Sequence, residues 1–164
     1  MMMNELNELF PRTREVLDAW GRDFVEKYKQ GLIDKNANAS KNLYNRVQYQ
    51  LQVGTQAFEL SLVLPDYSEY LEEGTRPHFP PREPIERWIR IKPVVPREDM
   101  QGRLPTQQQL AYLISRKIAR EGTEGRHIFQ ETYDATQEEW IARINEALDQ
   151  DIEENVMEIL ETLL

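Results

Sequence analysis

The chain has 164 residues and a net charge of −9, and its length suits one domain that buries a core without covalent cross-links. It has no cysteine, which excludes disulfide frameworks, thiol catalysis and zinc sites built on thiolates. The negative charge argues against general binding of nucleic-acid phosphates, and no stretch of 18 apolar residues is present that could span a bilayer.

The first predicted element is an amphipathic helix over residues 11–32, in which apolar side chains recur at helical spacing after Pro11. From residue 43 the period of the apolar side chains changes to two, which predicts strands over residues 43–53 and 58–64. The short Gly54-Thr55 break between the strands is typical of a β-hairpin. We expect this hairpin to have one buried and one solvated face.

The middle of the chain is predicted to alternate short helices with proline-rich segments. Asp66 suits the N-cap of a helix that Gly74 can end in a left-handed conformation. Residues 75–84 contain four prolines, which fix backbone angles and remove hydrogen-bond donors, so we expect a rigid loop. Pro84 then opens another short helix, and residues 92–105, with three prolines and little periodicity, are predicted to form an extended arm.

Two capping-box sequences predict the last two helices. Thr106-Gln107-Gln108-Gln109 opens a helix that stops at Gly122, and Thr136-Gln137-Glu138-Glu139 opens a long acidic helix over residues 137–163. The predicted fold class is therefore α+β, with a small antiparallel sheet built on the β-hairpin. An N-terminal helix, short central helices and the long C-terminal helix flank this sheet within a single domain, residues 1–164.

Charge is distributed unevenly along the chain. Residues 137–163 contain nine acidic residues and one basic residue, whereas residues 76–126 contain eleven basic and six acidic residues. Each run is explained equally well as a solvated surface. The alternative is self-complementarity, in which the basic middle of one subunit contacts the acidic helix of the next subunit in a ring.

Residue patterns that would support catalysis are scarce. The two histidines, His78 and His127, have no ligand-like spacing. Glu72 and Glu73 are adjacent, so on a helix they point about 100° apart and do not converge on one substrate. The sequence contains no phosphate-binding loop and no nucleophile elbow. We therefore expect a protein that is not an enzyme, with no catalytic residues, no cofactor and no metal.

Several short motifs occur in a defined order between residues 40 and 136. They are a tyrosine-containing helix that runs into Glu73-Gly74-Thr75, then Pro80-Pro81, Trp88, Glu121-Gly122-Thr123 and His127-Ile128-Phe129. This order resembles that of the tail-completion and neck proteins, the head-to-tail connectors of long-tailed bacteriophages. The chain departs from the family pattern in its long acidic C-terminal helix and in the insertion between Pro93 and Pro105.

The resemblance implies a structural virion protein of the phage neck or upper tail, made in the host cytoplasm. Such a protein forms a twelvefold or sixfold ring that joins the portal or head to the tail and continues the DNA channel. The implied partners are other copies of the chain, the portal or an adjacent neck protein, and the tail tube or a tail-terminator protein. DNA would pass without sequence-specific binding, and no membrane is involved.

The implied subunit or partner interface lies on the tyrosine helix, the proline-rich loop and the tryptophan helix, because aromatic and arginine side chains dominate such contacts. Its predicted residues are Tyr67, Tyr70, Glu73, Gly74, Thr75, Arg76, Pro77, His78, Phe79, Pro80, Pro81 and Trp88. For Tyr70 and Trp88 the helical periodicity predicts a core position equally well. The acidic helix would face the channel or an interface through Glu146, Asp149, Glu153, Glu154 and Glu158.

Two other classes of function are compatible with the sequence. One is a small non-enzymatic host-directed or regulatory binding protein whose acidic helix mimics nucleic acid. The other is an enzyme such as a nuclease, which the lack of clustered metal ligands disfavours.

Overall fold

The computed structural model describes residues 5–37, 41–92 and 94–163. The described part of the chain contains seven helices and two antiparallel strand pairs, which confirms the predicted α+β class. The elements in chain order are α1 (Glu5–Leu9), α2 (Pro11–Asp34), α3 (Asn42–Arg46), β1 (Gln48–Val53), β2 (Phe58–Val63), α4 (Ser68–Glu73), β3 (Gly74–Thr75), α5 (Arg82–Ile91), α6 (Gln107–Glu121), β4 (Thr123–Glu124) and α7 (Ile128–Leu163).

The chain divides into two compact units. The described residues within 1–31, 46–65 and 128–164 form the first unit, and those within 32–45 and 66–127 form the second. The first unit therefore contains most of α2, the β1–β2 hairpin and α7, while the second contains the proline-rich middle of the chain. The single domain over residues 1–164 stays a prediction.

In the first unit, α2 and α7 run antiparallel and meet through aromatic side chains. The ring centroids of Phe24 and Phe129 lie 5.2 Å apart, and those of Trp20 and Tyr133 lie 6.3 Å apart in a stacked pair. The indole of Trp140 is buried and donates a 2.9 Å hydrogen bond from Nε1 to a carboxylate oxygen of α2. The apolar side chains that recur at helical spacing in the first predicted helix thus include an aromatic packing surface.

The β1–β2 hairpin lies on α2. Its register runs from Gln48 opposite Val63 to Val53 opposite Phe58. Tyr49 donates a 2.9 Å hydrogen bond from its hydroxyl to Asp18, and its ring occupies the space above Gly21. The glutamines that alternate with the half-buried side chains of β1 are exposed, so the predicted hairpin with one solvated face is confirmed.

The predicted start of the first strand at Leu43 is wrong, because residues 42–46 form α3. Leu43 and Val47 are both buried and stand four residues apart, a spacing that fits one face of a helix as well as it fits alternation in a strand. A hydrogen bond of 3.0 Å from the Asn45 amide to the Lys41 carbonyl oxygen closes the first helical turn.

Helix α4 begins later than predicted, and Asp66 is not its N-cap. The N-cap position belongs to Tyr67, which has helical backbone angles and whose side chain makes no capping bond. Capping by a side chain requires an extended residue at that position, and the turn at Asp66 and Tyr67 does not provide one. The predicted end of the helix at Gly74 is confirmed, with a φ of 79°.

The first capping box is confirmed and the second is wrong. The Gln109 amide donates to the Thr106 hydroxyl at 3.3 Å, and the Thr106 amide donates to the Gln109 side chain at 2.9 Å. Helix α7, by contrast, already begins at Ile128, so Thr136 lies in its interior. Thr136 is buried, and its hydroxyl donates a 2.8 Å hydrogen bond to the Thr132 carbonyl oxygen.

Helix α7 has 36 residues and is about 54 Å long at 1.5 Å per residue. It is nine residues longer at its N-terminal end than the helix predicted over residues 137–163. None of the helices among the described residues combines the length and apolar character that crossing a bilayer requires.

Candidate interaction surface

The two Glu-Gly-Thr sequences of the chain pair with each other in the second unit. Glu73 ends α4 and Glu121 ends α6, and each is followed by a glycine with positive φ. Strand β3 then pairs antiparallel with β4, so that Gly74 stands opposite Glu124 and Thr75 opposite Thr123. The hydroxyl oxygens of the two threonines are 2.8 Å apart and share a hydrogen bond.

Glycine is required at this crossing because the two backbones touch. A Cβ on Gly74 would overlap the Thr123 carbonyl oxygen, and a Cβ on Gly122 would overlap the Thr75 carbonyl oxygen. Gly125 faces the Glu72 carbonyl oxygen at the same close range. We call this pairing of residues 74–75 with residues 122–125 the glycine crossing.

Further backbone bonds hold the chain on both sides of the glycine crossing. The Arg126 amide donates to the Leu71 carbonyl oxygen at 2.7 Å, and the His127 amide donates to the Glu72 carbonyl oxygen at 3.2 Å. Lys35 adds a 2.6 Å hydrogen bond from Nζ to the Arg126 carbonyl oxygen. The chain segment that enters the proline-rich loop is therefore fixed by contacts that are distant in sequence.

The proline-rich loop leaves the glycine crossing at Arg76 and ends at Pro81, the N-cap of α5. The predicted bounds of 75–84 are too wide, because Thr75 belongs to β3 and Pro84 is the third residue of α5. Within the loop, the His78 ring nitrogen Nδ1 lies 2.9 Å from the Arg76 carbonyl oxygen. The exposed residues of the loop are Arg76, Pro77, His78, Phe79 and Pro81, and Pro80 is half-buried.

Phe79 projects from the loop onto α6. Its side chain is 56% exposed, and its ring centroid lies 6.4 Å from that of Tyr112. The Arg82 guanidinium stands over the same tyrosine ring, 5.1 Å from the centroid, within cation–π range. The structure adds Tyr112 and Arg82 to the predicted set. An aromatic residue outside the apolar stripe of α6 was the signal that could have indicated Tyr112.

The predicted interface side chains of Tyr67, Tyr70, Glu73 and Trp88 are also accessible, whereas Gly74 and Thr75 are half-buried in the glycine crossing. Tyr70 is 64% exposed and Trp88 is 38% exposed, so neither is a core residue. Tyr67 and Glu73 are exposed as well. The Lys92 ammonium lies 5.5 Å from the Trp88 ring centroid. In the described part of the chain, no ring contact joins these aromatic residues to Phe79 and Tyr112.

The predicted arm, residues 92–105, has no regular secondary structure over residues 94–105, and its Pro93 lies outside the described residues. Asp99 organises it locally, because one carboxylate oxygen accepts the amides of Gln101 at 2.8 Å and Arg103 at 2.9 Å. The arm and α6 enclose an open groove of about 830 Å³, which we call the arm groove. Its lining residues are Arg82, Arg97, Asp99, Arg103, Leu104, Pro105, Gln108, Gln109, Tyr112 and Leu113.

The predicted acidic surface lies on α7 in the first unit. Its five residues, Glu146, Asp149, Glu153, Glu154 and Glu158, are all exposed. Glu154 forms an ion pair with Arg12 of α2. The carboxylates of the other four residues are exposed, so a partner can contact them.

Asp151 lies in the same acidic run but has a structural role. Its side chain is fully buried, and one oxygen accepts 2.8 Å hydrogen bonds from both the amide and the hydroxyl of Thr13. The Arg12 amide donates to the other oxygen at 3.2 Å. Asp151 therefore caps the N-terminus of α2, where backbone donors lack partners within the helix.

The environment of Asp151 shifts its pKa. Burial is the largest single effect and opposes ionisation, but the hydrogen bonds from Thr13 and then Arg12 together outweigh it and lower the pKa of Asp151 below its usual value. The sequence contains a signal for this role, since Asp151 follows the buried Ala147 by four residues and thus interrupts an apolar helix face.

No group of three histidine, aspartate or glutamate side chains within residues 5–37, 41–92 and 94–163 is arranged to hold a metal ion.

Comparisons of the chain with protein-family models, with curated proteins and with solved structures found no match. The resemblance to the tail-completion and neck proteins therefore depends on the order of the sequence motifs alone.

Proposed function

We propose that the chain is a structural protein of the neck or upper tail of a long-tailed bacteriophage. In this proposal it forms a ring that joins the portal or head to the tail and continues the DNA channel. The observation that supports the proposal, beside the order of the motifs, is the glycine crossing, which pairs the two Glu-Gly-Thr motifs and has an exposed aromatic loop beside it. No turnover is required of such a protein.

The loop has the properties of a docking element. Prolines restrict its backbone, and the glycine crossing fixes its first residue, so little conformational entropy is lost when it binds. Phe79, Arg76 and Trp88 are exposed and belong to residue types that dominate binding energy at protein interfaces. The partner would be a neighbouring subunit, the portal, an adjacent neck protein, the tail tube or a tail-terminator protein.

The acidic surface of α7 fits the wall of a DNA channel. Glu146, Asp149 and Glu158 are exposed along one long helix, and like charge keeps a passing duplex from adhering. Sequence-specific DNA contacts are not part of this proposal. Both twelvefold and sixfold rings are consistent with it.

The test is native mass measurement and negative-stain imaging of the purified chain, alone and mixed with portal assemblies. Rings of six or twelve copies, on their own or on the portal, are the expected result. A chain that stays monomeric at high concentration and does not bind portals or tail tubes would contradict the proposal.

The exposed carboxylates of α7 also favour a second candidate, a regulatory binding protein that mimics nucleic acid. Such a protein would remain a monomer or dimer and would compete with DNA for a basic host protein. Fluorescence anisotropy of labelled duplex DNA bound to a basic host protein separates the two proposals, because a ring-forming neck protein should leave the DNA bound.

A further inference from the structure

The first unit contains a pocket that aromatic side chains line. Helices α2 and α7 and strands β1 and β2 enclose about 140 Å³ of space that is partly open to solvent. Phe24 is buried, whereas Phe129 is 38% exposed, so the pocket reaches from the core of the unit to its surface. We call it the aromatic pocket, and its lining residues include Trp20, Phe24, Tyr49, Leu62, Phe129 and Tyr133.

No charged side chain lines the aromatic pocket within the part of the chain that the structure describes. Three polar groups of the lining already have partners inside the protein. The Tyr49 hydroxyl donates a 2.9 Å hydrogen bond to a carboxylate oxygen of α2, and the Trp20 indole donates from Nε1 to the Thr136 hydroxyl at 3.4 Å. The Ser61 hydroxyl donates to a carbonyl oxygen of β1 at 3.4 Å. A charged ligand would lose its hydration without gaining a counter-ion, so the pocket suits an uncharged one.

The volume of the aromatic pocket limits the size of its ligand. An apolar cavity of about 150 Å³ binds one benzene molecule, and the aromatic pocket is nearly as large. Drug-sized ligands occupy pockets of about 300 Å³ or more, so the space is too small for them. The ligand that fits is a single six-membered ring with at most a short substituent.

The walls of the pocket favour an aromatic ligand over an aliphatic one. The ring centroids of Phe24 and Phe129 lie 5.2 Å apart with the planes tilted by 51°, and Trp20 stacks with Tyr133 at 6.3 Å. At such distances aromatic rings attract each other through their faces and edges. A planar ring that enters beside these pairs would extend the arrangement, whereas an aliphatic molecule of the same volume would gain only burial.

We propose that the aromatic pocket binds a small uncharged aromatic molecule. Its entry would displace water from apolar walls and leave the hydrogen bonds of Tyr49 and Trp20 in place. The described residues that line the pocket all belong to the first unit of one copy. The site is therefore independent of the proposed assembly of subunits.

Toluene, methylcyclohexane and benzoate are the probes, because they are similar in size and differ in aromaticity or charge. The chain has three tryptophans, of which Trp20 lines the aromatic pocket. In nuclear magnetic resonance spectra, toluene should shift the Trp20 indole N–H signal with a dissociation constant of about 1 mM or below. The signals of Trp88 and Trp140 should stay in place. Methylcyclohexane should bind about fivefold more weakly, and benzoate about tenfold or more.

Substitutions in the lining test where the probe binds. Leu62→Trp places an indole in the pocket and should weaken toluene binding about tenfold or more. Phe129→Ala removes one wall without inserting a larger side chain and should weaken binding about fivefold. The matched controls are Val63→Trp, at an exposed position next to Leu62 on β2, and Ile141→Ala, at an exposed position on α7 outside the pocket. Both controls should bind toluene as the wild-type chain does, and circular dichroism verifies the fold of each variant.

Each outcome decides the inference. A Trp20 signal that toluene does not move, or signals of Trp88 and Trp140 that move equally far, overturn the site. Methylcyclohexane that binds as tightly as toluene overturns the aromatic ligand class, and controls that lose as much binding as the lining variants overturn the location. A Trp20 signal that moves with chain concentration in the absence of any probe would assign the pocket to a second copy of the chain, and this result also overturns the inference.

Discussion

Gly122 stands where two backbones touch, and it has a φ of 73°. Gly122→Ala should lower the free energy of unfolding for two reasons. The φ of 73° at Gly122 combines with a ψ of −158°, a region that essentially only glycine occupies and that costs a residue with a side chain about 1–3 kcal/mol. In addition, the new Cβ would overlap the Thr75 carbonyl oxygen. We expect a total loss of about 3 kcal/mol or more, measured by urea denaturation.

Gly102 provides a matched control, since its φ of 72° is nearly the same. A Cβ there would meet only a flexible glutamate oxygen at 3.9 Å. Gly102→Ala should therefore show the cost of a positive φ without the overlap. Equal losses at the two glycines would contradict the close approach at the glycine crossing.

Asp151 should make stability depend on pH. Its pKa is lower in the folded chain than its ordinary value of 3.8, so its full contribution is present above about pH 3.8 and is lost as the pH falls through the lower folded-state pKa. Asp151→Asn should cost about 2–3 kcal/mol at neutral pH and flatten the decline of stability in acid. Urea denaturation at a series of pH values measures both effects.

Asp149→Asn is the control for Asp151→Asn, because Asp149 is exposed and lies two residues away on the same helix. It should change the free energy of unfolding by less than about 0.5 kcal/mol. If both variants kept the acid dependence of the wild-type chain, the capping role of Asp151 would be wrong.

At the scale of single elements, the start of α6 depends on the capping box. Thr106→Ala removes the hydroxyl that accepts the Gln109 amide and should destabilise the chain by about 1 kcal/mol. Thr106→Ser retains that oxygen and should stay close to wild type. Thermal unfolding followed by circular dichroism distinguishes these variants, and equal effects of both would argue against the cap.

The proline-rich loop should matter for binding far more than for folding. Phe79→Ala removes an exposed ring, so we expect the free energy of unfolding to change by less than about 1 kcal/mol. Ring formation or portal binding should weaken about 30-fold, the loss expected of an interface hot spot of about 2 kcal/mol. Sedimentation and portal co-purification measure it.

Ile141→Ala is the matched control for Phe79→Ala, because Ile141 is an exposed apolar residue on α7 outside the loop. It should leave ring formation and portal binding unchanged. Normal assembly of Phe79→Ala would show that the loop is not the docking element.

For the whole molecule, the separation of charge predicts that association depends on salt. In the proposed ring, the basic middle of one subunit and the acidic C-terminal helix of the next would attract each other through exposed side chains, and the Debye length falls from about 10 Å at 0.1 M salt to about 3 Å at 1 M. We expect self-association to weaken over this range, while the free energy of unfolding changes little. Association that strengthens with salt would indicate an apolar interface instead.

The sequence by itself determined those features that depend on nearby residues. Alternation predicts the hairpin, the helix ends at Gly74 and Gly122 follow from glycine's conformational freedom, and the capping box at Thr106 is a bond between residues three apart. These signals depend on residues only a few positions apart, so they specify the same local structure wherever the segment lies in the fold.

Only the tertiary structure decided where local signals were ambiguous or where distant segments meet. Thr136 has the sequence context of a cap but lies buried inside α7, because the pairing of α7 with α2 extends the helix beyond it. Leu43 and Val47 fit a strand or a helix equally well. The contact between the two Glu-Gly-Thr sequences joins residues 48 positions apart, and the bond from Thr13 to Asp151 joins residues 138 positions apart. No local pattern specifies such pairs, since they form only when packing brings the elements together.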